Sequence, residues 1–166
     1  DILVGTQIIA KGLDFPEVTT VGVITADTAL NLPDFRAAER TFQLLTQVAG
    51  RTGRGSKLGE VIIQTYAPDH YSILTARTHD YEAFYEQEMK LREELLYPPF
   101  SHFINLLLTH QEEKAVIEAA GMMKFFLSES GEGLGGDDIE ILGPAQAPLA
   151  KLKNRYRWLI TLKGKR

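Results

Sequence analysis

The chain has 166 residues, enough for one ordinary domain or two small ones, and its 44% hydrophobic and 24% charged content falls in the range of globular proteins. A net charge of -4 gives no overall attraction to nucleic acid, and the absence of cysteine excludes disulfides and thiolate-held zinc or iron–sulfur sites in this sequence. The four histidines, His70, His79, His102 and His110, lack close metal-ligand spacing and read as core or surface residues, so no metal site is expected. No apolar run approaches the ~20 residues of a membrane span, and no secretion signal is visible.

Asp1 opens directly on an apolar run, which suggests a cut through a longer protein. Ile2-Leu3-Val4 followed by Gly5-Thr6-Gln7 predicts a buried parallel strand ending in a loop. Val18 to Ala26, β-branched and apolar on both faces, predicts a second strand. Asn31-Leu32-Pro33-Asp34 predicts a turn, with Asp34 as a helix cap. From Phe35, apolar residues recur at Ala38, Phe42, Leu45 and Val48 or Ala49, the spacing of a helix with one buried face, which Gly50 ends or loosens. Glu60 to Tyr66 predicts a third strand. Strand, crossover helix and strand imply a parallel α/β layer. Ligands of such sheets sit beyond the carboxyl ends of the strands.

Tyr71 to Leu96 contains no glycine or proline and predicts one or two helices, with Tyr81, Phe84, Tyr85, Met89 and Leu91 or Leu95 sharing a face. Tyr97-Pro98-Pro99-Phe100 stops helix formation. The organisation expected is therefore residues 1–67, a helical connector over 68–96, and a second domain over 97–166. That domain predicts a strand over Phe103–Thr109, a helix over Glu112–Ser128 and an acidic glycine-rich loop over Gly131–Asp138. A short strand over Ile139–Leu142, a loop over Gly143–Pro148 and a strand over Arg155–Leu162 complete it. The order β-α-β-β predicts a small α+β sandwich, a helix on an antiparallel sheet; no last element is evident at Lys163–Arg166, so this end too suggests a cut.

Two blocks carry chemistry. In Gly5-Thr6-Gln7…Lys11-Gly12-Leu13-Asp14-Phe15-Pro16, Thr6, Gln7 and backbone amides can donate to phosphate oxygens, and Asp14 can bond a ribose or orient an arginine. In Gln47-Val48-Ala49-Gly50-Arg51-Thr52-Gly53-Arg54, a glycine–arginine pair is repeated at the end of an amphipathic helix. A helix C-terminus complemented by cations explains one arginine and one glycine but not the repeat. Arginine binds phosphate oxygens in a planar fork, so the second block reads as a polyphosphate site.

Together the blocks resemble motifs V and VI of superfamily 2 helicases. The run from Gly5 to Arg54, with Tyr97-Pro98-Pro99-Phe100 and Gly143-Pro144-Ala145 further on, resembles the PriA family of primosomal replication-restart helicases over nearly the whole chain. The resemblance implies an α/β fold class, part of a RecA-like second helicase lobe followed by the α+β sandwich. It implies that Gln47, Arg51 and Arg54 act on ATP phosphates held by another lobe, with Arg54 stabilising the charge on the transferred phosphoryl group. Gly12 and Asp14 match positions facing the nucleotide, and Thr6 and Gln7 match positions facing the DNA backbone. The whole protein would use ATP and Mg2+ and carry zinc, none of them expected on this chain alone. Forked and single-stranded DNA, single-stranded DNA-binding protein and other primosome proteins would be its partners, with no membrane. It would be a bacterial cytoplasmic, nucleoid-associated protein. No GxxxxGK[ST] loop or Mg-binding acidic motif occurs here, and Gly133-Leu134-Gly135-Gly136 lacks the lysine. The chain alone is therefore expected neither to hydrolyse ATP nor to unwind DNA. The alternative is a non-motor nucleic-acid-binding module with a degenerate helicase lobe.

A third group combines Lys151, Lys153, Arg155, Arg157, Lys163, Lys165 and Arg166 with Tyr156 and Trp158, and no acidic residue follows Glu140. Basic residues track phosphates and aromatics stack on bases, so Lys151, Lys153, Arg155 and Arg157 are candidate DNA contacts. The competing reading is a solvated sheet edge guarded by lysines. In a strand, Arg155 and Arg157 share one face, while Tyr156 and Trp158 share the other, which can be core. The family resemblance adds a contact near Arg155 for the acidic tail of single-stranded DNA-binding protein, although Leu159 stands where that family often has a polar residue.

Overall fold

The computed structural model describes residues 2–6, 18–52, 59–131 and 139–165, and the chain forms two compact units, 1–90 and 91–166. The first contains β1 (Thr20–Val23), α1 (Asp27–Leu30), α2 (Ala37–Ala49), β2 (Glu60–Ile63) and α3 (Tyr71–Thr78). Helix α4 (Tyr81–Glu94) runs across the division between the units.

Strands β1 and β2 pair in parallel, Thr20 opposite Glu60 through Val23 opposite Ile63, with α2 in the crossover between them. β1 is shorter than the run from Val18 to Ala26 suggests, because Thr25 turns the chain with a φ of 63°. The pairing continues past the strands through the Gln64 amide to the Val23 carbonyl at 2.9 Å and the Ala26 amide to the Gln64 carbonyl at 3.1 Å. Residues 2–4 do not form the expected strand: they have no regular structure, and Ile2 and Val4 are exposed. An apolar run becomes a buried strand only when a ladder partner takes its amides, and among the described residues β1 and β2 pair only with each other.

Helix α2 buries Ala37, Thr41, Phe42, Leu45 and Val48, the stripe expected of 3.6-residue periodicity. Phe42 and Leu45 pack with Ala26, Ile73, Ala76 and Phe84 in one core. The Phe42 and Phe84 rings stack with centroids 4.3 Å apart. Asp34 works one turn upstream of α2, where its carboxylate accepts the Arg36 amide at 3.0 Å and pairs with Arg40 at 2.9 Å. The glycine- and proline-free stretch after β2 forms two helices. His79 adopts a left-handed φ of 55°, and Asp80 Oδ1 restarts the chain by accepting the Ala83 amide at 2.9 Å. The expected apolar face of α4 is corrected: Phe84 and Glu88 are buried, whereas Tyr81, Tyr85, Leu91 and Leu95 are exposed. Glu88 tolerates burial because its carboxylate accepts the Tyr71 hydroxyl proton at 2.5 Å.

The second unit contains β3 (Ser101–His110), α5 (Glu113–Gly131), β4 (Ile139–Leu152) and β5 (Arg155–Lys165), with sheet order β3-β5-β4, antiparallel throughout. The wholly buried Val116 and Ala120 of α5 and Ile160 of β5 form the centre of the helix-on-sheet core. Two expectations fail here. Gly143–Pro148 is not a loop: β4 runs through it with register shifts at Leu142/Ala145 and Gln146/Lys151. Gly143 makes the first shift possible, since its φ of +98° suits glycine and an added Cβ would lie 2.8 Å from the Leu159 carbonyl. The last strand runs past the expected Leu162 to Lys165, and Lys163 to Lys165 pair with Ser101–Phe103 and with Ile139 and Glu140. Lys153 and Asn154, with φ of 49° and 59°, make the two-residue turn between β4 and β5.

Candidate nucleotide and nucleic-acid residues

In the first unit the candidate residues cluster at the end of α2. Gln47 is exposed, off the buried stripe, and Arg51 follows one helical turn later, half-buried. The chain leaves the helix in tight turns: the Gly50 amide bonds the Thr46 carbonyl at 3.0 Å and the Arg51 amide the Val48 carbonyl at 3.0 Å. The Thr52 hydroxyl donates to the Ala49 carbonyl at 3.1 Å, so the Thr46, Val48 and Ala49 carbonyls that a helix end would leave open are taken. Arg51 is therefore carried on an ordered turn. Gly50 has a φ of -70° and room for a methyl group, so neither conformation nor space requires glycine there. Thr6 is exposed and outside regular structure. Gln7, Gly12, Asp14 and Arg54 lie outside the described residues.

Asp27 was not singled out by sequence reasoning. It begins α1 just past β1, and it is buried. Its Oδ1 accepts the Thr65 hydroxyl proton at 2.8 Å, and the Tyr66 amide lies 3.1 Å from each carboxylate oxygen. Thr65 Oγ1 in turn accepts the Ala67 amide at 3.0 Å. The Thr65 hydrogen bond, ahead of the opposing effect of burial, holds the Asp27 carboxyl below its ordinary value. The available signal was an acid placed directly after an apolar strand. At Asp34 burial pushes the carboxyl up, but the Arg36 bonds and the Arg36 and Arg40 charges outweigh it and leave the group low.

In the second unit β5 divides its residues as a two-residue period requires. Tyr156 and Trp158 share the face of the buried Ile160 and are themselves half-buried, so the interleaved aromatics belong to the covered side. Cations on both faces of the sheet are engaged. Arg155 Nε donates to Thr109 Oγ1 at 3.1 Å and a terminal nitrogen to the Thr109 carbonyl at 3.0 Å. Arg157 donates to the Leu149 carbonyl at 3.3 Å, one of the four β4 residues that face it across the second bulge. Lys151 Nζ sits 4.3 Å from the Tyr156 ring centroid and 3.3 Å from its hydroxyl. Lys163 donates to the Leu95 carbonyl at 3.0 Å and has Glu140 at 3.9 Å. Lys153 stands exposed on the turn. The sheet thus brings Lys151, Lys153 and Arg155 to one end of the β4–β5 hairpin, with Arg157 one pair further in.

Among the described residues, no group of three or more His, Asp or Glu is arranged to hold a metal ion, and no helix is long and apolar enough to cross a membrane.

An α/β segment ending in a glutamine–arginine turn, followed by an α+β unit, matches two families in sequence. Residues 1–56 match the helicase conserved C-terminal domain, and residues 93–166 match the primosomal protein N C-terminal domain. The first match defines the class of the α/β segment. The chain is 53% identical to the replication restart protein PriA of Bacillus subtilis, over 99% of its own length and 20% of that protein. It is 45% identical to PriA of Synechocystis over 98% of its length and 19% of that protein, and 44% identical to PriA of Treponema pallidum over 99% and 24%. The chain belongs to the PriA family of replication restart proteins. It spans about a fifth to a quarter of the length of these curated relatives.

Proposed function

We propose that this chain is part of an ATP-driven 3′-to-5′ DNA helicase that recognises stalled or repaired replication forks and restarts replication through primosome assembly. The observation that carries the reading is the placement of Gln47 in the last turn of α2 and Arg51 on the ordered turn that follows, inside the stretch that matches a helicase domain. An arginine fixed in this way, with Arg54 three residues on, can meet charge that develops on a phosphoryl group during hydrolysis. Gly12 and Asp14 are assigned to the nucleotide, and Thr6 and Gln7 to the DNA backbone. The residues here do not include a phosphate-cradling loop or a magnesium-binding acidic motif. ATP and Mg2+ would therefore be held mainly by protein outside this chain, which supplies arginines to the γ-phosphate. Zinc would also be bound elsewhere, since no cysteine occurs here.

The second unit is assigned to DNA and partner binding. Lys151, Lys153 and Arg155 lie together at the hairpin end, with Arg157 beside them; Arg155 is the assigned contact for the acidic tail of single-stranded DNA-binding protein. Its guanidinium is already oriented by Thr109, which lowers the ordering cost of meeting a carboxylate. A cytoplasmic, nucleoid-associated location follows from the same reading.

The test compares ATP turnover, with and without single-stranded DNA, by the full-length protein and by residues 1–166 alone. Turnover by the full-length protein, raised by DNA, is expected, with none from the shorter chain. DNA-stimulated hydrolysis by the shorter chain would contradict the assignment of the phosphate-holding residues to the rest of the protein.

A further inference from the structure

Asp27 is a buried carboxylate with, among the described residues, no cation among its hydrogen-bond donors: it receives the Thr65 hydroxyl and the Tyr66 amide. Burying a charge is costly unless hydrogen bonds replace its water. These bonds fix the backbone of residues 65–67 where β2 has ended, beside the exit of β1. The side chain they present is Tyr66, which is 89% exposed. No ring contact or hydrogen bond of its side chain occurs among the described residues. A rigid mount therefore carries a largely exposed aromatic ring at the carboxyl end of a parallel strand pair, the end at which sheets of this class bind their ligands.

We propose that Tyr66 is a base-stacking contact for single-stranded DNA, held in position by Asp27 and Thr65; this rests on the helicase reading given above. Stacking suits the site because every base offers a π-face, so a sequence-tolerant motor can use the contact at each step. Pinning the backbone amide from the buried side leaves both faces of the ring open and removes backbone freedom that binding would otherwise have to freeze. The hydroxyl is not required by this role, and neither is a phosphate contact.

The test uses the full-length protein and two oligonucleotides, one of thymidylate and one of abasic residues with the same phosphate backbone. Tyr66→Ala is expected to weaken thymidylate binding by about 10-fold, and Tyr66→Phe to preserve it. On the abasic strand the unaltered protein and Tyr66→Ala should bind equally, and the slope of affinity against salt should be the same for both on thymidylate. Because the ring is exposed, the substitution leaves the core intact, and an unchanged melting temperature verifies this. Equal thymidylate affinity of Tyr66→Ala and the unaltered protein overturns the proposal. So does a loss with Tyr66→Phe as large as with Tyr66→Ala, or a loss that persists on the abasic strand. Failure of the unaltered protein to bind either strand would instead overturn the helicase reading itself.

Discussion

The two units carry their basic residues on different scaffolds. In the first, Arg51 is carried on a turn past the end of α2, beyond the stripe that packs Phe42 and Leu45 into the core. In the second, Arg155, Arg157, Lys151 and Lys163 each contact a carbonyl, hydroxyl or ring of the same unit. A short parallel pair of four-residue strands cannot bind many side chains across itself, whereas three long antiparallel strands offer partners along their whole length. A run of basic residues in sequence is therefore weak evidence for a phosphate contact, because a sheet can engage them with its own carbonyls and hydroxyls.

The largest effect that sharpens this contrast is expected at Arg51. Arg51→Ala in the full-length protein should lower DNA-stimulated ATP turnover by ~10²-fold, with DNA affinity unchanged, measured by steady-state phosphate release. A small effect would place Arg51 with the structural cations of the second unit.

Next come the cores that support each arrangement. Leu45→Ala and Ile160→Ala remove side chains that are 1% and 0% exposed. Each should destabilise its own unit by about 2–5 kcal/mol, read from amide hydrogen exchange. Protection should fall in α2, β1 and β2 for the first and in β3, β4 and β5 for the second.

A smaller split is expected within the basic hairpin. Arg155→Ala should lower the stability of the second unit by about 1 kcal/mol through loss of its bonds to Thr109. Lys153→Ala should leave melting unchanged but reduce the salt slope of DNA binding by about 1. Equal melting behaviour of the two variants would remove the distinction between engaged and free cations.

The smallest effect concerns His70. Burial holds its imidazole below the ordinary value of 6.5, with the Glu88 charge opposing. A folded-state value below the unfolded one means that the folded state binds fewer protons. The contribution to stability is therefore present above pH 6.5 and lost as pH falls through the folded value. Denaturant titrations of the unaltered protein should show stability falling with pH in that window, and His70→Gln should flatten the fall.

Much of this architecture is legible in the sequence, and the failures have physical causes. Phe42, Leu45 and Val48 announce α2 because burial of one helix face imposes its period. The opposition of Arg155 and Tyr156 follows from the strand period alone. Ile2-Leu3-Val4 misleads because a strand is defined by its partner, and local composition does not supply one. β4 reads as a loop at Gly143-Pro144 and Pro148 because bulges use the same residues as turns. The engagement of Arg155 by Thr109 joins residues 46 apart in sequence, a distance over which no local pattern reports. Asp27 and Tyr66 escape notice for the same reason, as their bond spans the whole crossover between β1 and β2.

The proposed function gives the arginines following α2 a nucleotide to act on, rather than the fold or DNA. Arg54→Ala in the full-length protein tests it most directly, with ATP turnover and single-stranded DNA affinity measured on the same preparation. Turnover should fall by ~10³-fold with DNA affinity within about twofold of the unaltered protein. Normal turnover, or a loss of DNA binding that matches the loss of turnover, would contradict it.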